Sequence, residues 1–125
     1  MRLIIRKNYE AVSEWAANHI AGRVRSTPTG STCVLGLPTG STPLGVYDRL
    51  ASLVARGELS FGNVVTFNMD EYVGLPEDHP QSYHSFMRER LFSRVDIDPA
   101  NAHLLDGNAP DLEAECARYE AAIAA

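Results

Sequence analysis

Two short runs gather the side chains that could do chemistry. Thr39-Gly40-Ser41-Thr42 closes one apolar stretch, and Asp70-Glu71-Tyr72 closes another. In the first, Gly40 lets the backbone approach a ligand closely, and Ser41 and Thr42 add hydroxyls. If a helix follows, its unpaired N–H groups and its dipole favour an anion at that point. The run lacks the lysine and the Gly-Lys-Ser/Thr spacing of a nucleotide P-loop, and it is not a dinucleotide fingerprint. An ordinary turn capped by Thr42, with Pro43 at the first helical position, uses the same residues, so the loop alone leaves both readings open. In the second run, a carboxylate can take a proton from a carbon next to a carbonyl when its surroundings raise its pKa toward neutrality. Side chains alternate across a strand, so only one of Asp70 and Glu71 should face a cleft. A solvated acidic turn is the plainer reading of the same pair.

Other reactive types are scattered. His19, His79, His84 and His103 share no spacing, and a metal site needs several converging groups, so no metal is expected. Cys33 and Cys116 fit neither a metal-ligand spacing nor a disulfide framework and read as buried thiols in a reducing compartment. Tyr72 and Tyr83 flank the acidic run; either could contact a substrate or simply anchor its hydroxyl. Trp15 and Tyr119 read as core. Glu71 either orients a neighbour or pairs with an arginine.

The elements that must hold these residues alternate in period. Residues 3–5 suit a short first strand. Tyr9, Val12, Trp15, Ala16, Ile20 and Val24 recur at helical steps. After a polar loop over residues 26–31, Cys33-Val34-Leu35-Gly36-Leu37 reads as a strand covered on both faces. A helix from Thr42 and Pro43 should turn Val46, Leu50, Leu53 and Val54 inward, with Gly57 at its left-handed end. Val64-Val65-Thr66-Phe67 is the next strand. A proline-bounded connection leads to a helix beginning near Ser82 and carrying Phe86, Met87, Leu91 and Val95. A brief strand near His103 follows. The last helix places Leu112, Cys116, Tyr119 and Ile123 on one face. This alternation predicts an α/β fold, a three-layer α/β/α arrangement around a mainly parallel, Rossmann-like sheet. Both reactive runs then leave the carboxyl ends of strands, where open parallel sheets bind ligands.

Composition excludes several partners. With 125 residues, 45% of them hydrophobic, the chain can bury one core. A net charge of -5 and a pI near 5.3 give no electrostatic support for nucleic acid or an anionic membrane surface. The N-terminal apolar run is far shorter than a signal-peptide core, so a cytoplasmic location is the expectation.

At the two loops the sequence resembles the glucosamine-6-phosphate deaminase (isomerase) family. The likeness lies in Leu35-Gly36-Leu37-Pro38-Thr39-Gly40-Ser41-Thr42-Pro43 and in Val65-Thr66-Phe67-Asn68-Met69-Asp70-Glu71-Tyr72-Val73-Gly74-Leu75. It continues in Asp78-His79-Pro80-Gln81-Ser82-Tyr83-His84-Ser85-Phe86-Met87 and in Leu105-Asp106-Gly107-Asn108-Ala109. The resemblance implies conversion of glucosamine 6-phosphate to fructose 6-phosphate and ammonia, without an organic cofactor. It implies that Asp70 is the base that takes the proton from C2 of the opened sugar and returns it at C1. Thr39, Gly40, Ser41 and Thr42 would hold the phosphate, with Tyr72 also at the substrate. The chain matches about the first half of a family member, as the N-terminal part of a single domain. The family's further groups, an aspartate, histidine and glutamate for ring opening and a lysine and arginine for the phosphate, have no counterpart here. The chain alone is therefore expected to be inactive or nearly so, and the complete protein to be a homo-oligomer. Two alternatives stay open: a 6-phosphogluconolactonase-like hydrolase, and a non-catalytic phosphosugar-binding module.

Overall fold

Val64, Thr66 and Asn68 point to one side of a strand and Val65 and Phe67 to the other, and four of these five are buried. A strand covered on both sides is a central strand. In the computed structural model, which describes residues 2–125, this is β2 (Val64–Asn68). It lies between β1 (Cys33–Leu37) and the two-residue β3 (Ala102–His103), and both pairings are parallel. The register sets Leu37 opposite Asn68, so the loops after β1 and β2 leave the sheet at one level. The result is the expected α/β sheet with helices on both faces.

Helices α1 (Tyr9–Ser26), α2 (Leu44–Ala55) and α3 (Tyr83–Arg90) share one core beneath the sheet. Ala21, Leu50, Phe61, Val64, Met87 and Leu91 are at its centre, each with no exposed surface. Right-handed connections between parallel strands added in one direction must cross on one side, and α2 and α3 do. Helix α4 (Leu112–Ala124) covers the opposite face, where the Tyr119 ring meets Phe67 edge-on.

Several sequence expectations change. Residues 3–5 form no strand: Leu3 and Ile5 are exposed, and no strand lies beside them among the described residues. The Met1 end of that segment lies outside the described residues. Helix α1 has the expected length but a rotated stripe. Ser13, Ala17, Ala21 and Val24 are buried, whereas Tyr9 and Val12 are exposed and Trp15 is only half-buried. Small residues let α1 approach α2 closely. A Cβ added to Gly45 would stand 2.4 Å from the Ser13 hydroxyl oxygen. Alanine and serine carry little hydrophobic signal, which is why the pattern misplaces the stripe.

Strand β1 is not covered on both faces, since α4 leaves Val34 60% exposed. In α2, Tyr47 and Ala51 join Leu50 and Leu53 in the core, and Val46 and Val54 pack at its margin. Gly57 ends the helix at φ 71° as expected. Helix α3 stops at Arg90, because Leu91 leaves the helical region at φ -139°. Leu91 and Val95 reach the core from an irregular stretch around the short 3₁₀ turn Phe92–Arg94. In α4, Glu115 and Tyr119 turn inward while Leu112, Ile123 and Cys116 are exposed, so Cys116 is not a buried thiol. Glu115 is drawn in by two partners, the Asp106 N–H at 2.9 Å and the Arg118 guanidinium at 2.6 Å. No helix among the described residues is long and apolar enough to cross a membrane.

Candidate functional site

The loop after β1 is built as an open backbone cradle. Gly40 sits at φ 90°, a conformation that side chains disfavour, and turns the chain between Thr39 and Ser41. Thr39 is half-buried; Gly40, Ser41 and Thr42 are exposed. Among the described residues the N–H groups of Thr39 to Thr42 make no hydrogen bond, so they are available to an acceptor. Thr42 is not the helix cap. Pro43 occupies that position without a side-chain hydrogen bond. The Tyr9 hydroxyl takes over: it accepts the Gly45 N–H at 2.9 Å and lies 3.0 Å from the Thr42 carbonyl. From below, the Tyr47 hydroxyl donates to the Pro38 carbonyl, and burial pushes the Tyr47 phenol above its ordinary range. Two tyrosines thus brace the loop from α1 and α2.

The loop after β2 divides its two carboxylates. Asp70 is exposed and makes no hydrogen bond or ion pair among the described residues. Glu71 turns the other way, and its side chain is 4% exposed. It accepts the N–H groups of Tyr72, Tyr83 and His84 at 2.8, 2.9 and 2.9 Å, and the His84 ring Nδ1 at 2.7 Å. Burial opposes the Glu71 charge, but the hydrogen bonds from Tyr83, His84 and Tyr72 outweigh it and hold this carboxyl below its usual range. The pair is therefore divided as expected, with Asp70 on the open side, although both residues lie past the end of β2 and the bend at Met69, so the hydrogen bonds of Glu71 and not strand pleating separate them. Tyr72 is exposed beside it. Its ring lies 4.8 Å from that of Tyr83, and the Tyr83 hydroxyl, with the charges of Asp70 and Glu71, pushes the Tyr72 phenol up.

The two loops are joined beneath. Asn68, 1% exposed, donates its amide to the Leu37 carbonyl at 2.9 Å. Its own carbonyl lies 2.7 Å from the hydroxyl of Tyr119, whose phenol burial pushes up to about 12. The turn after β3 supports the acidic loop: Gly107 accepts the Gly74 N–H at 3.0 Å, and Asn108 donates to the Leu75 carbonyl at 2.6 Å. The candidate site thus sets a loop of unpaired backbone N–H groups and an exposed carboxylate after adjacent strands at one end of a parallel sheet.

A family described as glucosamine-6-phosphate isomerases/6-phosphogluconolactonase matches residues 7–125. This chain belongs to that family. A glucosamine-6-phosphate deaminase of Parabacteroides distasonis is 60% identical over 127 residues, a match covering 100% of this chain and 47% of the relative. Glucosamine-6-phosphate deaminase 2 of Bos taurus is 56% identical over 125 residues, covering 98% and 45%. Among solved structures, a monomeric glucosamine-6-phosphate deaminase matches with a TM-score of 0.93 at 43% identity, covering 99% of this chain and 50% of that one. The 6-phosphogluconolactonase of Thermotoga maritima matches with a TM-score of 0.74 at 26% identity. The chain spans about half the length of the curated relatives it matches.

In this family member, the sequence pattern points to the exposed groups of the candidate site but not to their supports. Tyr47, Asn68 and Gly107 touch the two loops from inside, and Tyr9 touches the first from the surface. Asn68 gave one usable signal, an amide closing an apolar strand directly before the acidic run. The histidines serve packing and local bonds: His19 stacks on Trp15, His103 stacks on Phe67, and His79 accepts the Gln81 N–H.

Proposed function

We propose that this chain forms the N-terminal, phosphate-binding and proton-abstracting part of a glucosamine-6-phosphate deaminase. One observation carries the reading: the cradle at Thr39–Thr42 and the unpaired Asp70 leave adjacent strands at the same level, tied by the Asn68 bond to Leu37. A hexose phosphate can then rest its phosphate on the cradle's free N–H groups while Asp70 reaches the other end of the opened sugar. Asp70 takes the proton from C2 and returns it to C1. The resulting C2 imine takes up water, the carbon–nitrogen bond breaks, and ammonia leaves with fructose 6-phosphate as the other product. Tyr72, on the rim beside Asp70, contacts the substrate. No organic cofactor is required by these steps. The identities with curated deaminases over nearly the whole chain support the substrate. The coverage of about half of each relative supports a partial domain whose phosphate site and ring-opening groups are completed elsewhere. We place the protein in the cytoplasm, as an enzyme of small phosphosugars and not a binder of nucleic acid or membrane, and we expect the complete protein to form a homo-oligomer.

The test is ammonia release from glucosamine 6-phosphate, measured beside Asp70→Asn. Release that disappears in the variant supports both the reaction and the base. Hydrolysis of 6-phosphogluconolactone without ammonia release would transfer the assignment to the family's lactonase branch. Saturable phosphosugar binding with no chemistry would make the isolated chain a binding module.

A further inference from the structure

Asp70 makes no hydrogen bond or ion pair among the described residues, so its direction depends on the residues that bracket it. On one side stands Asn68, fixed in β2 by its amide bond to Leu37. On the other stands Glu71, whose carboxylate takes four hydrogen bonds, three of them from backbone N–H groups and one from the His84 ring. Two of those N–H groups, of Tyr83 and His84, open α3 and have no partner within the helix, so Glu71 caps α3 from a distant loop. The stem of Glu71 is held as well. A Cβ on Gly107 would lie 3.4 Å from its Cγ, and Gly107 pairs with Gly74 on the far side of Tyr72. His84 is itself restrained, with Nε2 3.6 Å from a Glu77 carboxylate oxygen. A buried side chain fixed by four bonds fixes the backbone on which it sits, and the adjoining Asp70, two residues beyond the end of β2, is left on the exposed side of that backbone.

We infer that Glu71 is a positioning residue: seated on the start of α3 and on His84, it holds Asp70 facing the cradle at Thr39–Thr42. The inference rests on the reading of Asp70 as the base. Glu71 acts through Asp70 and does not itself meet the substrate.

The test uses two probes with the purified chain. Inorganic phosphate reports the cradle alone. The alditol of glucosamine 6-phosphate, an open chain with an ammonium at C2, reports the cradle and Asp70 together. The unaltered chain should bind the alditol phosphate more tightly than inorganic phosphate by about tenfold or more, the increment of one charge-assisted contact. In Glu71→Gln that preference should fall toward unity while the affinity for inorganic phosphate stays within about twofold of its starting value. His84→Gln should lower the preference in the same direction by a smaller factor. A purely structural role would lower both affinities together. If Glu71→Gln loses phosphate binding as well, His84→Gln decides by the same ratio. A preference that survives in both variants overturns the inference and leaves the reading of Asp70 intact. An unaltered chain that binds no phosphate, or binds both probes equally, overturns that reading and the inference with it.

Discussion

The Asn68 side-chain amide donates to the Leu37 carbonyl at 2.9 Å, across the sheet and just before each strand gives way to its loop. The bond ties the cradle to the acidic loop where backbone pairing between β1 and β2 ends. Asn68 is 1% exposed, so losing the donor leaves a buried carbonyl without a partner. Asn68→Leu should therefore cost about 1–3 kcal/mol, read as a lower urea midpoint at unchanged slope. Inorganic phosphate should also bind more weakly. A stability within error of the unaltered chain would show that the bond is dispensable.

The turn after β3 presses on the acidic loop even more closely. A Cβ added to Gly107 would lie 2.0 Å from the Tyr72 carbonyl oxygen, a contact with backbone that no rotamer change relieves. Gly107→Ala should destabilise the chain by about 1–3 kcal/mol as the two loops part. Gly36→Ala is the control. Nothing lies within 4 Å of its added Cβ. Its effect should stay within about 0.5 kcal/mol. Equal urea midpoints for the two variants would refute the close approach.

The sequence reveals most where an element's pattern matches its burial. The β2 run, the start of α3 at Ser82 and the left-handed Gly57 are all legible because apolar period, cap chemistry and glycine conformation are local properties. The placement of the candidate residues is legible for the same reason, since Thr39–Thr42 and Asp70 follow closely on the ends of strands. Contacts between distant segments are not local. Tyr9 reaches Gly45, Tyr119 reaches Asn68, and Gly107 fits under Tyr72, each through a fold that the spacing of residues does not encode. The rotated stripe of α1 shows the same limit, because an interface of alanine and serine resembles a solvated face until its partner helix is known. Residues 3–5 make the converse point: an apolar run becomes a strand only when another strand pairs with it.

Gly40 supplies a prediction local to the cradle. At φ 90° an alanine is strained, although its Cβ would meet nothing within 4 Å. Gly40→Ala should cost about 1–3 kcal/mol if the loop keeps its shape, or less if the loop relaxes. Where the loop relaxes, the N–H groups of Ser41 and Thr42 are redirected, and affinity for inorganic phosphate should fall several-fold by calorimetry, with little loss of stability. Unchanged affinity would separate the cradle from anion binding.

Glu115 gives the clearest dependence on pH. The Arg118 guanidinium first, and then the Asp106 N–H, lower its carboxyl from 4.5 to about 2. Because the folded-state value lies below the unfolded one, the unfolded chain binds the extra proton as the solution turns acid. The stabilisation is thus complete well above pH 4.5 and is lost as the pH falls from 4.5 toward about 2. Arg118 is 54% exposed, so salt should weaken its share, whereas the Asp106 bond should resist salt. Glu115→Gln should be less stable than the unaltered chain at neutral pH, and the gap should narrow steadily through that acid window. Urea midpoints for both proteins at neutral and acid pH, each at low and high salt, test the assignment. A gap that is independent of pH would mean that Glu115 contributes through packing alone. A gap abolished by salt would assign its whole effect to Arg118 and leave the Asp106 bond, and the turn it braces beneath Tyr72, without a role in stability.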